Sequence, residues 1–190
     1  MITSKNLLLF SLLTIGYKIT LLFVTQNLGL TVWNILNIIS YILYFLNFLF
    51  LYKYINNQTS SLIKKFPIVL IGLCTFLCCV DLFIPYQYFK KTIELTHIQS
   101  GLLIIIPSFL KISTSIIGEI SYGTSLIKAN KQMKKLGIGI ITANILNFCI
   151  PLLIGVIFLN YSNNYLGYLT FALGLLPVIF IGLFYAYQKN

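Results

Sequence analysis

The chain of 190 residues contains no arginine, three acidic residues and one histidine. The acids are Asp81, Glu94 and Glu119, and the imidazole is His97. So small a set leaves few combinations for hydrolytic chemistry, and neither G-x-S-x-G nor H-E-x-x-H occurs. Metal binding meets the same shortage. Glu94 and His97 stand one helical turn apart, but sites of that kind draw further carboxylates from other helices. Only Asp81 and Glu119 remain to supply them, so neither a metal nor any other cofactor is expected. The cysteines at 74, 78, 79 and 149 show neither C-x-x-C nor zinc spacing. Lying in apolar segments, they read as reduced thiols that behave as small hydrophobes.

Negative charge is scarce, and thirteen lysines give a net charge of +10. The excess does not point to nucleic acid, because the lysines fall in separate short segments between apolar runs and form no basic face. Abundant Ile, Asn, Lys, Phe and Tyr beside the missing arginine resemble the output of an AT-rich coding sequence. Asn and Lys counts are therefore inflated for reasons unrelated to chemistry.

What the chain does have is apolar length. Hydrophobic residues make up 58% of it and charged residues 8%, a balance outside the range of soluble globular domains. Positions 136–188 are 53 consecutive residues without a charged side chain or a histidine. A helix crosses a bilayer core of about 30 Å with about 20 apolar residues, so that run suffices for two crossings. Its polar interruption, Asn160-Tyr-Ser-Asn-Asn-Tyr165, falls where a connecting turn belongs. Apolar segments over 7–25, 30–52, 66–86, 98–122, 136–159 and 166–187 predict an all-α transmembrane bundle of six helices in a single domain. Lys18 interrupts the first run and no small-residue cleavage site follows it, so the first segment reads as a retained helix. Pro67 and Pro85 lie near the ends of the third span. Pro107, Pro151 and Pro177 lie inside spans four, five and six, where each is expected to kink its helix.

Orientation follows from the lysines. With both termini cytoplasmic, the inner segments hold Lys5, Lys53, Lys64, Lys65, Lys128, Lys131, Lys134, Lys135 and Lys189, and the outer loops hold only Lys90 and Lys91. Aromatic residues agree: Tyr52, Tyr54, Tyr122, Tyr185 and Tyr187 mark inner ends, and Trp33, Tyr86, Tyr88, Tyr161, Tyr165 and Tyr168 outer ends. A plasma-type (inner) membrane is expected. Sequons at Asn57 and Asn160 carry no weight in so Asn-rich a chain. Asn34-Ile-Leu-Asn37 in span two recurs as Asn144-Ile-Leu-Asn147 in span five. Roughly one shared tetrapeptide is expected by chance in this composition, so the match does not establish an inverted repeat.

The most informative residues are the ionisable ones within spans, which usually face other helices or water. At 1.5 Å per residue, Lys18 lies about 17 Å and Asp81 about 21 Å from the inner edge, with Lys111 at about 12 Å. That arithmetic predicts a Lys18–Asp81 ion pair and leaves Lys111 without an acid at its depth. Lys111 would then hold an anionic group or snorkel to the interface. Glu119, near the inner end of span four, is expected to meet headgroups or the basic loops. Ser108, Lys111, Ser115, Glu119 and Tyr122 share one face of span four. Asn34, Asn37, Ser40, Tyr41, Tyr44 and Asn47 fall within about 140° of arc on span two, as interhelical glue or as the wall of a solute site. Candidate binding residues are Lys18, Asp81, Lys111, Asn34, Asn37 and Tyr44.

Two function classes fit. The first is a non-enzymatic membrane component whose partners are the bilayer and another membrane protein or a second copy, with no nucleic acid. The second is a small permease or channel for an anionic or zwitterionic solute. A continuous polar cavity between spans two and four would favour the second, and a dry packed interior the first.

Overall fold

The computed structural model describes residues 4–24, 30–58, 65–89, 97–129, 131–157 and 163–187. Lys64, Lys90, Lys91, Lys189, Glu94 and the Asn160 sequon lie outside the described residues. The described chain is all α, in six helices: α1 (Ser4–Val24), α2 (Leu30–Gln58), α3 (Phe66–Phe89), α4 (His97–Ala129), α5 (Lys131–Ile157) and α6 (Asn163–Tyr187). Three stretches, Ser4–Val24, Thr31–Asn57 and Met133–Ile154, are long and apolar enough to cross a membrane by length and composition.

The helices overrun the apolar segments at their lysine-bearing ends. α2 continues to Gln58 and α4 to Ala129, and α5 already begins at Lys131. Nothing obliges a helix to stop where the apolar run stops, since its internal hydrogen bonds persist into water. At 33 residues α4 is about 50 Å long, well beyond a bilayer core of about 30 Å. The segment expected to be a loop between spans four and five is thus two helix ends joined at residue 130. Two glycines permit the close hairpin. A Cβ on Gly123 would stand 2.8 Å from the Gly137 carbonyl oxygen, and one on Gly137 would stand 2.5 Å from that of Gly123. Backbone can approach backbone here only because neither residue has a side chain.

Each helix packs against its neighbours in the chain, and α6 closes onto α1, so the six form a ring. The outside of the ring is apolar: Leu13 on α1, Phe76 on α3, Phe109 on α4 and Leu153 on α5 are all exposed. The inside is partly polar, with Ser11, Thr14, Ser40, Asn47, Glu119 and Asn144 buried. A water-soluble domain has the opposite arrangement; large exposed apolar patches are what a lipid-facing surface presents.

The interior divides into two halves. Toward the ends bearing Lys53, Lys65, Lys128 and Lys131, it is solid. Phe48, Leu51, Ile55, Tyr122, Leu126, Ile140, Val178 and Ile181 are completely buried there. Phe48 stacks edge-on against Tyr122 at 5.5 Å between centroids, and Tyr54 does the same against Tyr185 at 5.5 Å. Edge-to-face packing of this kind adds about 0.5–1.5 kcal/mol per pair beyond area burial. Among the described residues, the other half of the ring leaves a space.

Candidate functional site: a polar cavity inside the ring

One turn beyond the Phe48–Tyr122 layer the ring opens into a cavity of about 630 Å³. Its polar lining comes from all six helices: Lys18 of α1, Asn37, Ser40, Tyr41 and Tyr44 of α2, Thr75 of α3, Lys111, Ser115 and Glu119 of α4, Asn144 and Asn147 of α5, and Thr170 of α6. Pro151 of α5 and Gly174 of α6 complete the wall. The volume lies within the 300–1,000 Å³ typical of small-molecule sites.

The α2 stripe splits by azimuth into glue and wall. Asn34 donates to the Leu82 carbonyl at 3.2 Å, tying α2 to α3. Asn47 ties α2 to α1: its Oδ1 accepts from Ser11 Oγ at 2.9 Å, and its Nδ2 donates to Thr14 Oγ1 at 3.0 Å and to the Leu43 carbonyl at 2.8 Å. Between those two anchors Asn37, Ser40, Tyr41 and Tyr44 turn to the cavity. Of the residues proposed from sequence, Lys18, Lys111, Asn37 and Tyr44 are brought together here. Asn34 belongs to the α2–α3 seam.

The expected Lys18–Asp81 pair does not form. Asp81 Oδ2 instead accepts from Lys111 Nζ at 2.7 Å, with both side chains a little under 30% exposed. Three errors in the depth count explain the difference, the first being that eleven residues from Tyr122 already put Lys111 at about 17 Å and not about 12 Å. Counting from the true end of α4 at Ala129 lifts Lys111 to about 27 Å, against about 22 Å for Asp81 counted from Phe66. Depth also says nothing about azimuth: α3 and α4 are neighbours in the ring, whereas α2 stands between α3 and α1.

Glu119 corrects a second expectation. It reaches neither headgroups nor loops but is buried in the ring at 5% exposure. Its Oε1 accepts from Tyr44 Oη at 2.9 Å and from Ser115 Oγ at 3.2 Å, and its Oε2 accepts from Asn144 Nδ2 at 3.0 Å. Three donors from α2, α4 and α5 thus converge on one carboxylate at the cavity floor, each a charge-assisted bond stronger than a neutral one. The i,i+4 spacing of Ser115 and Glu119 was visible in the sequence; the involvement of Asn144 was not.

Lys18 makes no direct ion pair among the described residues. Its Nζ sits over the Tyr44 ring, 4.6 Å from the centroid, while that tyrosine's hydroxyl donates to Glu119. The aromatic face attracts the ammonium with about 0.5–2 kcal/mol, depending on desolvation. Asn147, one turn along α5 from Asn144, carries a buried Oδ1 with no hydrogen-bond partner among the described residues. A buried acceptor left unpaired costs about 1–3 kcal/mol. Cys74 and Cys78 also face the cavity as free thiols.

The arrangement is a chamber with a packed floor, apolar flanks and a small number of charged and amide groups turned inward. No known protein family, curated protein or solved structure matches the chain.

Proposed function

We propose that this chain is a six-span integral membrane protein that receives a small polar solute, anionic or zwitterionic, inside its helical ring, as the binding stage of a small permease or channel. The single observation carrying this reading is the cavity of about 630 Å³, into which Lys18, Asn37, Tyr44, Lys111 and Glu119 converge. Polar groups at membrane depth are costly and usually serve an ion or substrate path. Here they bond to one another and also line a common space.

All six helices cross the membrane in this reading, with both termini cytoplasmic in a plasma-type membrane. The lysine-rich, solidly packed half faces the cytoplasm, in keeping with the positive-inside rule. The cavity then belongs to the outer half, and the Phe48–Tyr122 layer closes it from the cytoplasm. Pro151 lies inside the continuous helix α5 at the cavity wall, where its missing N–H leaves one helical hydrogen bond unmade. The packed inner half is also what a non-conducting, partner-binding component would show, and this remains the second reading.

Counterflow in reconstituted vesicles separates the two. Vesicles loaded with unlabelled amino acids, short carboxylates, amines or glycerol are diluted into trace labelled solute of the same class. Accumulation above protein-free vesicles is expected for at least one class. Gly174→Leu should abolish it: a Cβ there meets nothing within 4 Å, so the larger side chain fills the cavity without removing a polar group. Uptake equal to protein-free vesicles for every class would overturn the solute reading.

A further inference from the structure

The charges around the cavity identify the class of solute. Four Lys, Asp and Glu side chains stand on or beside it among the described residues: Lys18, Asp81, Lys111 and Glu119. Lys111 and Asp81 neutralise each other directly at 2.7 Å. The remaining two, Lys18 and Glu119, are opposite in sign and form no ion pair with each other. Tyr44 separates them, offering its ring face to the ammonium and its hydroxyl to the carboxylate. Both groups face the same cavity.

The geometry points to a zwitterionic solute, its anionic end held by Lys18 and its ammonium end by Glu119 and the Asn147 carbonyl oxygen. This deepens the solute-binding reading above and rests on it. Charge balance favours a zwitterion. The chamber as built sums to zero, and an uncompensated charge at membrane depth costs about 2.5–3.5 kcal/mol on insertion scales. A monoanion or monocation would bring such a charge in, whereas a zwitterion adds none and gives each separated group a partner.

The hydrogen-bond inventory favours the same solute. Lys18 has three N–H donors and no acceptor, and no hydrogen bond ties it down among the described residues. A carboxylate or similar anion is the group that completes it. At the opposite pole the unmet need is for a donor. Glu119 retains acceptor capacity beyond the three bonds it takes, since a carboxylate offers about four lone-pair sites. The Asn147 Oδ1 has no partner among the described residues. Asn144 and Asn147 are one turn apart on α5, and Asn144 is already bonded to Glu119. The orphan acceptor therefore lies on the carboxylate side of the chamber, where a primary ammonium would meet it.

Equilibrium binding to the purified protein in lipid nanodiscs tests this with three matched series. The probes are ω-amino acids from glycine to 6-aminohexanoate, the alkylamines of the same chain lengths, and the corresponding alkanoates; the neutral alcohols serve as a reference. At least one amino acid is expected to bind ten times or more tighter than its amine and its alkanoate. Lys18→Gln should bring that amino acid down to the affinity of its amine, and Glu119→Gln should bring it down to that of its alkanoate. Amines or alkanoates binding as tightly as the amino acids, or indifference to both substitutions, would overturn the zwitterion assignment while leaving a solute site in place. Absence of binding across all series, alcohols included, would overturn the solute site itself.

Discussion

Separating Lys111 from Asp81 gives the most quantitative test of the ring. An exposed ion pair contributes about 0–1 kcal/mol. Breaking a buried one by removing a single partner costs about 3–5 kcal/mol, while replacing both can be neutral. The pair here lies between these limits, with side chains 29% and 28% exposed, so Lys111→Met and Asp81→Leu should each cost about 2–3 kcal/mol. The double substitution removes both charges and should return to within about 1 kcal/mol of the starting stability, a coupling of about 3–5 kcal/mol. Reversible unfolding in mixed micelles, followed by far-UV circular dichroism as denaturing detergent is titrated, reads all four states of the cycle. Lys18→Met with Asp81→Leu is the control, and its effects should simply add. Additive losses for Lys111 and Asp81, or strong coupling between Lys18 and Asp81, would refute the assignment of partners and with it the order of helices around the ring.

Glu119→Ala strips the acceptor from Tyr44, Ser115 and Asn144 and should cost about 2–4 kcal/mol in the same titration, against about 1 kcal/mol or less for Glu119→Gln, which keeps an acceptor oxygen. At the α4–α5 hairpin, Gly123→Ala drives a methyl to 2.8 Å from the Gly137 carbonyl and should cost about 1–3 kcal/mol, whereas Gly16→Ala, with open space around it, should be neutral or slightly stabilising.

The helical class, the approximate segments and the polar face of α2 could be read from composition and spacing, because each depends only on local sequence. What failed was everything that depends on azimuth or on where a helix truly ends. The apolar run of span four stops near Tyr122, but the helix continues seven residues to Ala129, which shifts every depth counted from that end. Glu119 consequently looked interfacial and proved to be the buried centre of three hydrogen bonds. Asp81 drew the wrong lysine because two lysines stood within reach of its level and the sequence does not say which helix stands beside α3. Asn34 and Asn37 looked equivalent on one stripe, yet the roughly 60° of azimuth between them turns one to the Leu82 carbonyl and the other to the cavity. Asn144 could have been found only from its repeat of the Asn34 tetrapeptide, a signal too weak in so Asn-rich a chain.

The central claim is that water and small solutes reach the interior of a membrane-embedded ring. Single cysteines at Ser115 and Asn37, in a background with Cys74, Cys78, Cys79 and Cys149 replaced, place the reporter on the cavity wall. Leu13, 63% exposed on the outer face of α1, and Ile140, fully buried in the packed half, supply the lipid-facing and dry controls. A charged, membrane-impermeant thiosulfonate added outside intact cells should modify the cysteines at 115 and 37 at least ten times faster than those at 13 and 140. Equal, negligible rates at all four positions would mean that the interior is closed to water from that side, and the solute-binding ring would be contradicted.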